Sequence, residues 1–234
     1  MSHPRKDFEI YGKEITVTVG EKSGSSAFLG EYDGKTAYIA VYKGGEDKLA
    51  AKTCAVIERD GEEIPVVIPA EFYGSDPCFE CNLLHDLGGL VREGDTLYPK
   101  FEKTGGAVMF TEKDGERRYL LIKNNSGHIG FPKGHIDYGE TELETAKREV
   151  FEETGLDFVQ YGDFRREYTY MTHQKTVKTG VFFIGHYEYR KPTIQEDEIL
   201  DDWLLPYGKA MELLNFPEDR ELLEEAEKYI SENN

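Results

Sequence analysis

The first hundred residues show short apolar runs separated by turn residues, a pattern typical of β-strands. Gly- and Asp-bearing turns such as Asp60-Gly61 divide these runs, and no long helical period appears among them. The candidate strands are 8–18, 36–43, 52–58 and 64–69. This pattern predicts a small β-rich domain, a barrel or a sandwich, over residues 1–102.

From residue 103 onward the pattern changes to strands interleaved with helices, which predicts an α/β domain over 103–234. The stretch 96–106 has the composition of a linker between the two domains. The predicted strands are 107–112, 118–123, 164–172, 176–188 and 203–205, and the predicted closing helices are 206–214 and 217–231. Lys113-Asp114-Gly115 provides the turn between the first two strands.

A further helix is predicted just after residue 140. Thr141 and Glu144 fit a capping box at its start, and Gly155 suits the left-handed position after its end. An apolar stripe at helical spacing, which would face the core, is formed by Leu143, Ala146 and Val150.

Three carboxylates lie on another face of this helix. Glu149, Glu152 and Glu153 follow the spacing i, i+3 and i+4, so their charges repel one another within one turn. A hard divalent cation such as Mg²⁺ would relieve that repulsion, because it takes carboxylate oxygens together with water and phosphates. The alternative is an ordinary solvated acidic face.

Residues 134–156 fit the pattern G-x5-E-x7-R-E-(apolar)-x-E-E-x-G-(apolar), which resembles the signature of the Nudix hydrolases. The matching positions are Gly134, Glu140, Arg148, Glu149, Val150, Glu152, Glu153, Gly155 and Leu156. The resemblance implies a Nudix α/β/α sandwich with a mixed sheet. It also implies Mg²⁺- or Mn²⁺-dependent hydrolysis of a nucleoside diphosphate linked to another moiety.

The same resemblance implies roles for individual residues. Glu149, Glu152 and Glu153 would ligate the metal, helped by the Gly134 carbonyl. Arg148 would orient these glutamates by ion pairing, and Glu140 would form a structural salt bridge.

A downstream carboxylate often completes the metal set or serves as base in this family. Glu196 and Glu198 are the candidates here, with Glu198 predicted as a metal ligand; the alternative is a solvated acidic loop.

The segment GHIGFPKGH at 127–135 is similar to the FPKGH variant of asymmetric diadenosine tetraphosphate hydrolases, and the C-terminal tail is similar to theirs as well. This resemblance implies that Lys133, His135 and Lys178 contact the polyphosphate. It also implies that Phe182, where that subfamily often has a tyrosine, stacks on adenine, with Tyr168 and Tyr170 as further stacking candidates. The alternatives are ordinary loop and strand residues and core aromatics.

The composition limits the classes of binding partner and the cellular compartment that we expect. The net charge of −18 disfavours long nucleic acid and anionic membranes and favours a small nucleotide substrate. The chain has no stretch of 18 apolar residues and no apolar leader, and three cysteines are typical of a reducing cytoplasm.

Cys78 and Cys81 form a CxxC four residues before His85, for which reduced structural thiols are favoured over zinc. Nothing in the sequence indicates an oligomeric state.

The sequence is consistent with three functions. The leading one is a Mg²⁺-dependent hydrolase that splits diadenosine tetraphosphate to ATP and AMP. The others are a Nudix enzyme for ADP-ribose or a modified nucleoside triphosphate, and a Nudix domain that senses a nucleotide without hydrolysing it.

Overall fold

A computed structural model describes residue 6 and residues 8–23, 27–75, 78–172, 175–195 and 197–233 of the chain. These residues form two compact units. The first comprises Met1–Lys103 and Thr169–Lys178, and the second comprises Thr104–Tyr168 and Thr179–Asn234. No helix among the described residues is long and apolar enough to cross a membrane.

The first unit contains a closed five-stranded barrel, so the sequence-based choice between barrel and sandwich resolves to a barrel. Its strands pair in the order β1-β2-β3-β5-β4, β1 also pairs with β4 to close the ring, and a short β6 extends from β4. The strands are β1 (Glu14–Ser23), β2 (Ala27–Tyr32), β3 (Lys35–Ile39), β4 (Lys48–Arg59), β5 (Glu62–Pro69) and β6 (Thr96–Pro99). β3 and β5 run parallel, whereas the other pairs are antiparallel.

Two elements of this unit escaped the sequence analysis. β2 was not predicted because glycine and charged residues interrupt its alternation, and the helix α1 (Glu80–Leu87) is only eight residues long. The side chains of Leu83 and Leu87 nevertheless anchor α1 in an apolar cluster with Cys54 and Cys78. The thiol of Cys78 accepts a hydrogen bond from the Gly74 N–H at 3.2 Å.

The predicted linker at 96–106 is wrong, because those residues form β6 and the start of β7 (Phe101–Lys113). Phe101 and Leu97 are buried in the apolar cluster of the first unit. Gly105 and Gly106, which made this stretch look like a linker, are strand residues whose lack of a side chain permits close packing, as described below.

The second sheet pairs its strands in the order β11-β12-β7-β8-β13, with β10 alongside β7 and β9 alongside β8. Its further strands are β8 (Glu116–Asn124), β9 (Ile129–Gly130), β10 (Lys133–His135), β11 (Val159–Met171), β12 (Val177–His186) and β13 (Ile199–Pro206). Asp114 and Gly115, with φ of 55° and 76°, make the predicted turn between β7 and β8.

Helices cover both faces of this sheet. The helix α2 (Glu142–Thr154) buries Ala146 and Val150 against one face. On the other face lie α3 (Tyr207–Leu213) and α4 (Pro217–Glu232), and α4 buries the predicted stripe Leu222, Leu223, Ala226 and Ile230. The result is an α/β/α sandwich, which confirms the predicted fold class.

Candidate functional site

The helix α2 begins and ends as its sequence predicted. The Thr141 hydroxyl accepts from the Glu144 N–H at 3.3 Å, and the Glu144 carboxylate accepts from the Thr141 N–H at 2.8 Å. Gly155 ends the helix with φ of 66°, a left-handed conformation that glycine adopts without strain. These caps fix where the three glutamates of the last turns lie.

Glycines bring β7, β10 and α2 unusually close together. A β-carbon on Gly105 would lie 2.6 Å from the carbonyl oxygen of Glu142, and one on Gly106 would lie 2.6 Å from that of Pro132. A β-carbon on Gly134 would overlap the carboxylate of Glu149. Only glycine lets the Gly134 backbone lie directly against a carboxylate of the helix.

Arg148 connects the acidic residues of the site. Its guanidinium binds Glu140 through two hydrogen bonds of 2.7 and 2.9 Å, Glu149 at 2.6 Å and Glu152 at 3.1 Å. It also donates to the His135 carbonyl at 2.9 Å. This charge-assisted network fixes the glutamates relative to β10.

Several hydrogen bonds hold the Glu140 carboxylate just before the start of α2. Besides Arg148, its carboxylate accepts from the Thr145 hydroxyl at 2.7 Å and from the Asp137 N–H at 3.2 Å. The hydrogen bonds from Arg148 are the main cause that lowers the pKa of Glu140 to about 2. Glu140 is therefore an anion that anchors Arg148.

The pKa of Glu153 is raised, whereas that of Glu140 is lowered. It is 8% exposed, and burial raises its pKa to about 8; repulsion from Glu149 and Glu198 adds to the effect, while Lys133 opposes it. The Lys133 N–H donates to its carboxylate at 2.9 Å. Burial raises the pKa of Glu149 as well. The half-buried Glu149 and the buried Glu153 thus share a site that lacks enough positive charge for both.

That shortage of positive charge suits a hard divalent cation, and oxygen donors are the ligands that Mg²⁺ and Mn²⁺ prefer. Within the described part of the chain, no three acidic, histidine or cysteine side chains already converge as a metal cluster. Glu149 and Glu152 both point to Arg148 instead. To hold a cation, these two carboxylates would have to bind the cation and Arg148 at the same time.

Other residues predicted to bind substrate or metal in the second unit lie on β10 and in the segment before β13. Lys133 and His135 are half-buried on β10, and each acts electrostatically on one glutamate, Lys133 on Glu153 and His135 on Glu149. Glu198 lies close enough to Glu153 to raise its pKa, whereas Glu196 is outside the described residues.

Phe182 lies in the core rather than on an open surface. It is 1% exposed, stacks on Tyr168 with centroids 5.5 Å apart at 9°, and meets the edge of Phe131. Tyr170 and Lys178 belong to the first unit, where Tyr170 is exposed and the Lys178 ammonium is 3.8 Å from the Glu102 carboxylate. The substrate contacts expected of these residues stay predictions.

Sequence reasoning missed a buried carboxylate on α4. Asp219 on α4 is 3% exposed, binds the His128 Nε2 at 2.9 Å and accepts from the Tyr168 hydroxyl at 3.1 Å. It escaped notice because α4 is rich in acids that otherwise form a solvated face. Its spacing of three and four residues before Leu222 and Leu223 places it in phase with the apolar stripe, and this is the signal that could have identified it.

Comparison with known proteins agrees with this geometry. The model of the NUDIX domain matches residues 102–226, more than half of the chain. The bis(5'-nucleosyl)-tetraphosphatase (asymmetrical) of Mus musculus is 35% identical over 120 residues, which are 48% of this chain and 80% of the relative. The enzyme of the same name from Sus scrofa is 30% identical over 150 residues, which are 61% of this chain and 92% of the relative.

Among solved structures, a binary complex of the C. elegans Ap4A hydrolase is similar with a TM-score of 0.52 and 21% identity. The match covers 56% of this chain and 98% of that one. At 21% identity, this similarity shows a shared fold only. Together with the complete glutamate motif and the family match, it shows that the chain belongs to the Nudix family and is a Nudix hydrolase.

Proposed function

We propose that this Nudix hydrolase is a Mg²⁺- or Mn²⁺-dependent enzyme that splits diadenosine tetraphosphate asymmetrically to ATP and AMP. The observation that carries the proposal is the pair of carboxylates beside Lys133 on β10, the half-buried Glu149 and the buried Glu153, whose pKa values burial raises. The activity named for the Mus musculus and Sus scrofa relatives, which align over 80% and 92% of their length, supports the substrate.

The residues of the site have separate tasks in this proposal. Glu149, Glu152 and Glu153 hold the cation, with the Gly134 carbonyl and Glu198 as further ligands. When bound, the cation polarises the phosphates and neutralises charge that develops in the transition state. Arg148 keeps Glu149 and Glu152 aimed at one side of the helix, as its hydrogen bonds indicate.

Substrate anions need a local positive charge on a protein with a net charge of −18. Lys133 provides it next to Glu153, and His135 lies two residues further on the same strand. A lysine ammonium acts as a point charge for a phosphate. It therefore binds one end of a polyphosphate without fixing the orientation of the bound phosphate group. Attack near the gripped end then gives unequal products.

The deciding experiment is hydrolysis of diadenosine tetraphosphate in oxygen-18 water with Mg²⁺, followed by mass spectrometry of both products. We expect ATP and AMP, with the label in one of them. Two ADP molecules would contradict the cleavage position. Parallel assays with ADP-ribose and nucleoside triphosphates test the substrate, because a tenfold higher kcat/KM for either, about 1.4 kcal/mol, would shift the assignment to another Nudix specificity.

The metal requirement has its own test. EDTA should abolish hydrolysis, and Mg²⁺ or Mn²⁺ should restore it. Full activity without a divalent cation would contradict the proposed site. Glu152→Gln keeps the size of the side chain but removes an anionic ligand, and we expect a loss of about 10²–10⁴-fold in kcat. Glu232→Gln, at the distant end of α4, is the matched control and should leave kcat unchanged.

A further inference from the structure

A buried carboxylate at the start of α4 binds the ring of a histidine. Asp219 is 3% exposed, and its Oδ2 lies 2.9 Å from Nε2 of His128, whose side chain is 23% exposed. The other carboxylate oxygen accepts from the Tyr168 hydroxyl at 3.1 Å. Side chains from two other segments of the chain therefore occupy both oxygens of this carboxylate.

The backbone around the pair favours this arrangement in two ways. A β-carbon on Gly130 would lie 3.1 Å from Nε2 of His128 and 3.2 Å from the Asp219 carboxylate, so a glycine at this position lets the pair pack closely against β9. Asp219 also lies in the first turn of α4, where the partial positive charge of the helix N-terminus stabilises an anion. Both features fit an ionised carboxylate that binds an imidazole.

Packing alone does not account for a carboxylate at this position. Asp219 is in phase with the apolar stripe of α4, where burial of a carboxylate costs stability. Replacing a buried polar pair with apolar residues is often neutral or stabilising. Among the described residues, no lysine or arginine forms an ion pair with Asp219. The position therefore favours a task that Asp219 performs through His128.

The hydrogen bond to Asp219 fixes which nitrogen of the imidazole carries the proton. A carboxylate oxygen only accepts hydrogen bonds, so the donor is the Nε2–H of His128. In a neutral imidazole the other nitrogen, Nδ1, is then an acceptor. Within the part of the chain that the structure describes, no residue binds Nδ1 of His128. The ring therefore offers one acceptor to a ligand.

A continuous set of contacts joins this imidazole to the residue proposed to bind phosphate. Tyr168, which shares the carboxylate with His128, stacks on Phe182 with ring centroids 5.5 Å apart. A β-carbon on Gly106 would lie 3.0 Å from the Phe182 ring and 2.5 Å from the β-carbon of Lys133. Lys133 also follows His128 by only five residues. The imidazole is thus part of the same region of the second unit as β10.

The chemistry around the imidazole indicates which part of a nucleotide it can bind. Phe216, which is 51% exposed, meets the ring of His128 edge to face with centroids 4.8 Å apart. Ionised phosphate oxygens only accept hydrogen bonds, whereas ribose hydroxyls and base amino groups donate them. An acceptor nitrogen next to an apolar ring therefore suits the nucleoside and not the polyphosphate.

We propose that Asp219 is a positioning residue for nucleotide binding: it fixes the imidazole of His128 so that Nδ1 accepts a hydrogen bond from a ribose hydroxyl or a base amino group. The nucleotide ligand is taken from the proposed function. In this arrangement Lys133 binds the phosphates and His128 binds the nucleoside, while Asp219 acts only through His128. Loss of Asp219 should therefore weaken binding without slowing the chemical step.

The first test is independent of hydrolysis. The full chain, labelled with nitrogen-15 histidine, is titrated with ATP and Mg²⁺, and the resonances of His128 are assigned by their absence in His128→Ala. We expect a proton on Nε2 and none on Nδ1, and we expect ATP to shift the Nδ1 resonance. Tripolyphosphate, which has no hydroxyl or amino group, should leave that resonance in place. A proton on Nδ1, no shift with ATP, or an equal shift with tripolyphosphate would each overturn the proposal.

Steady-state kinetics with diadenosine tetraphosphate test whether Asp219 acts through His128. Asp219→Ala should raise KM roughly fivefold or more and keep kcat within about threefold. Asp219→Asn keeps an oxygen that accepts from the Nε2–H, so its KM should stay within about twofold of the wild type. In the His128→Ala background, Asp219→Ala should change KM by less than about twofold, because the residue that it positions is gone. Fully additive effects would refute this role.

Glu227→Ala is the matched structural control. It removes another carboxylate of α4, one that binds Tyr119 and Arg117, and it should lower the melting temperature without changing KM. If Asp219→Ala and Glu227→Ala changed KM alike, Asp219 would have no positioning role. Should Asp219→Ala fail to fold, the nitrogen-15 titration of the wild-type protein decides alone. That titration also decides the role of Asp219 if diadenosine tetraphosphate is not hydrolysed, a result that would refute only the proposed function.

Discussion

Gly134 lies so close to Glu149 that a β-carbon on it would overlap the carboxylate. The contact joins β10 to α2 at the centre of the proposed metal site. It places the backbone of one element directly against a half-buried carboxylate of another. Gly134 therefore contributes a geometry that no other residue type allows.

Gly134→Ala should reduce kcat/KM by at least 10²-fold, because Glu149 would have to leave its position. The stability of the fold should fall much less than activity, since the clash lies at the edge of the core. The measurement is steady-state hydrolysis together with a thermal melt. Gly208→Ala, a helical glycine with open space around it, is the control and should retain full activity. Wild-type kinetics for Gly134→Ala would show that the contact is not needed.

Arg148→Lys should lower kcat by at least about 10²-fold with a smaller change in KM. Lysine keeps the positive charge but cannot bind Glu140 through two parallel hydrogen bonds while also reaching Glu149. Arg166→Lys, which alters an exposed ion pair with Glu225, should be neutral. If both variants behaved alike, the positioning role of Arg148 would be refuted.

The affinity for Mg²⁺ should rise with pH up to about 8. Burial raises the pKa of Glu153 to about 8, so the metal-free protein carries a proton there that the cation must displace. Because this pKa lies above its ordinary value, the protonated form stabilises the metal-free fold at low pH, and that contribution is lost as pH rises through 8. Isothermal titration should show markedly more proton release at pH 6.5 than at pH 8.5.

Glu153→Gln is the control for this pH dependence. It should bind Mg²⁺ more weakly, and its remaining affinity should depend less on pH between 6.5 and 8.5. An unchanged pH profile in this variant would assign the released proton to another group.

The barrel should lose stability in acid between about pH 4 and pH 2. Hydrogen bonds from Arg59 lower the pKa of Asp95 to about 2, below the ordinary value near 3.9. The stabilisation is therefore complete above pH 4 and disappears as pH falls through 2. Hydrogen exchange of β4 should detect it, and Asp95→Asn should cost about 1.5–3 kcal/mol at pH 7. Asp47→Asn, at an exposed position, should cost far less.

The sequence by itself determined the elements whose signals are local. The capping box at Thr141, the left-handed Gly155 and the stripe of α4 follow from spacing alone, and the structure contains all three. The three glutamates share a helix face for the same reason, because a helix fixes which residues are neighbours. The Nudix family itself follows from residues 134–156.

Only the tertiary structure decided how distant segments meet. Nothing local distinguishes Gly105 and Gly106 in a strand from glycines in a linker; their role appears once β10 and α2 pack against them. Asp219 lies in phase with the apolar stripe of α4, but only the tertiary structure places its carboxylate against His128. Burial and contacts with Lys133 and Glu198 set the pKa of Glu153, because they depend on residues far apart along the chain.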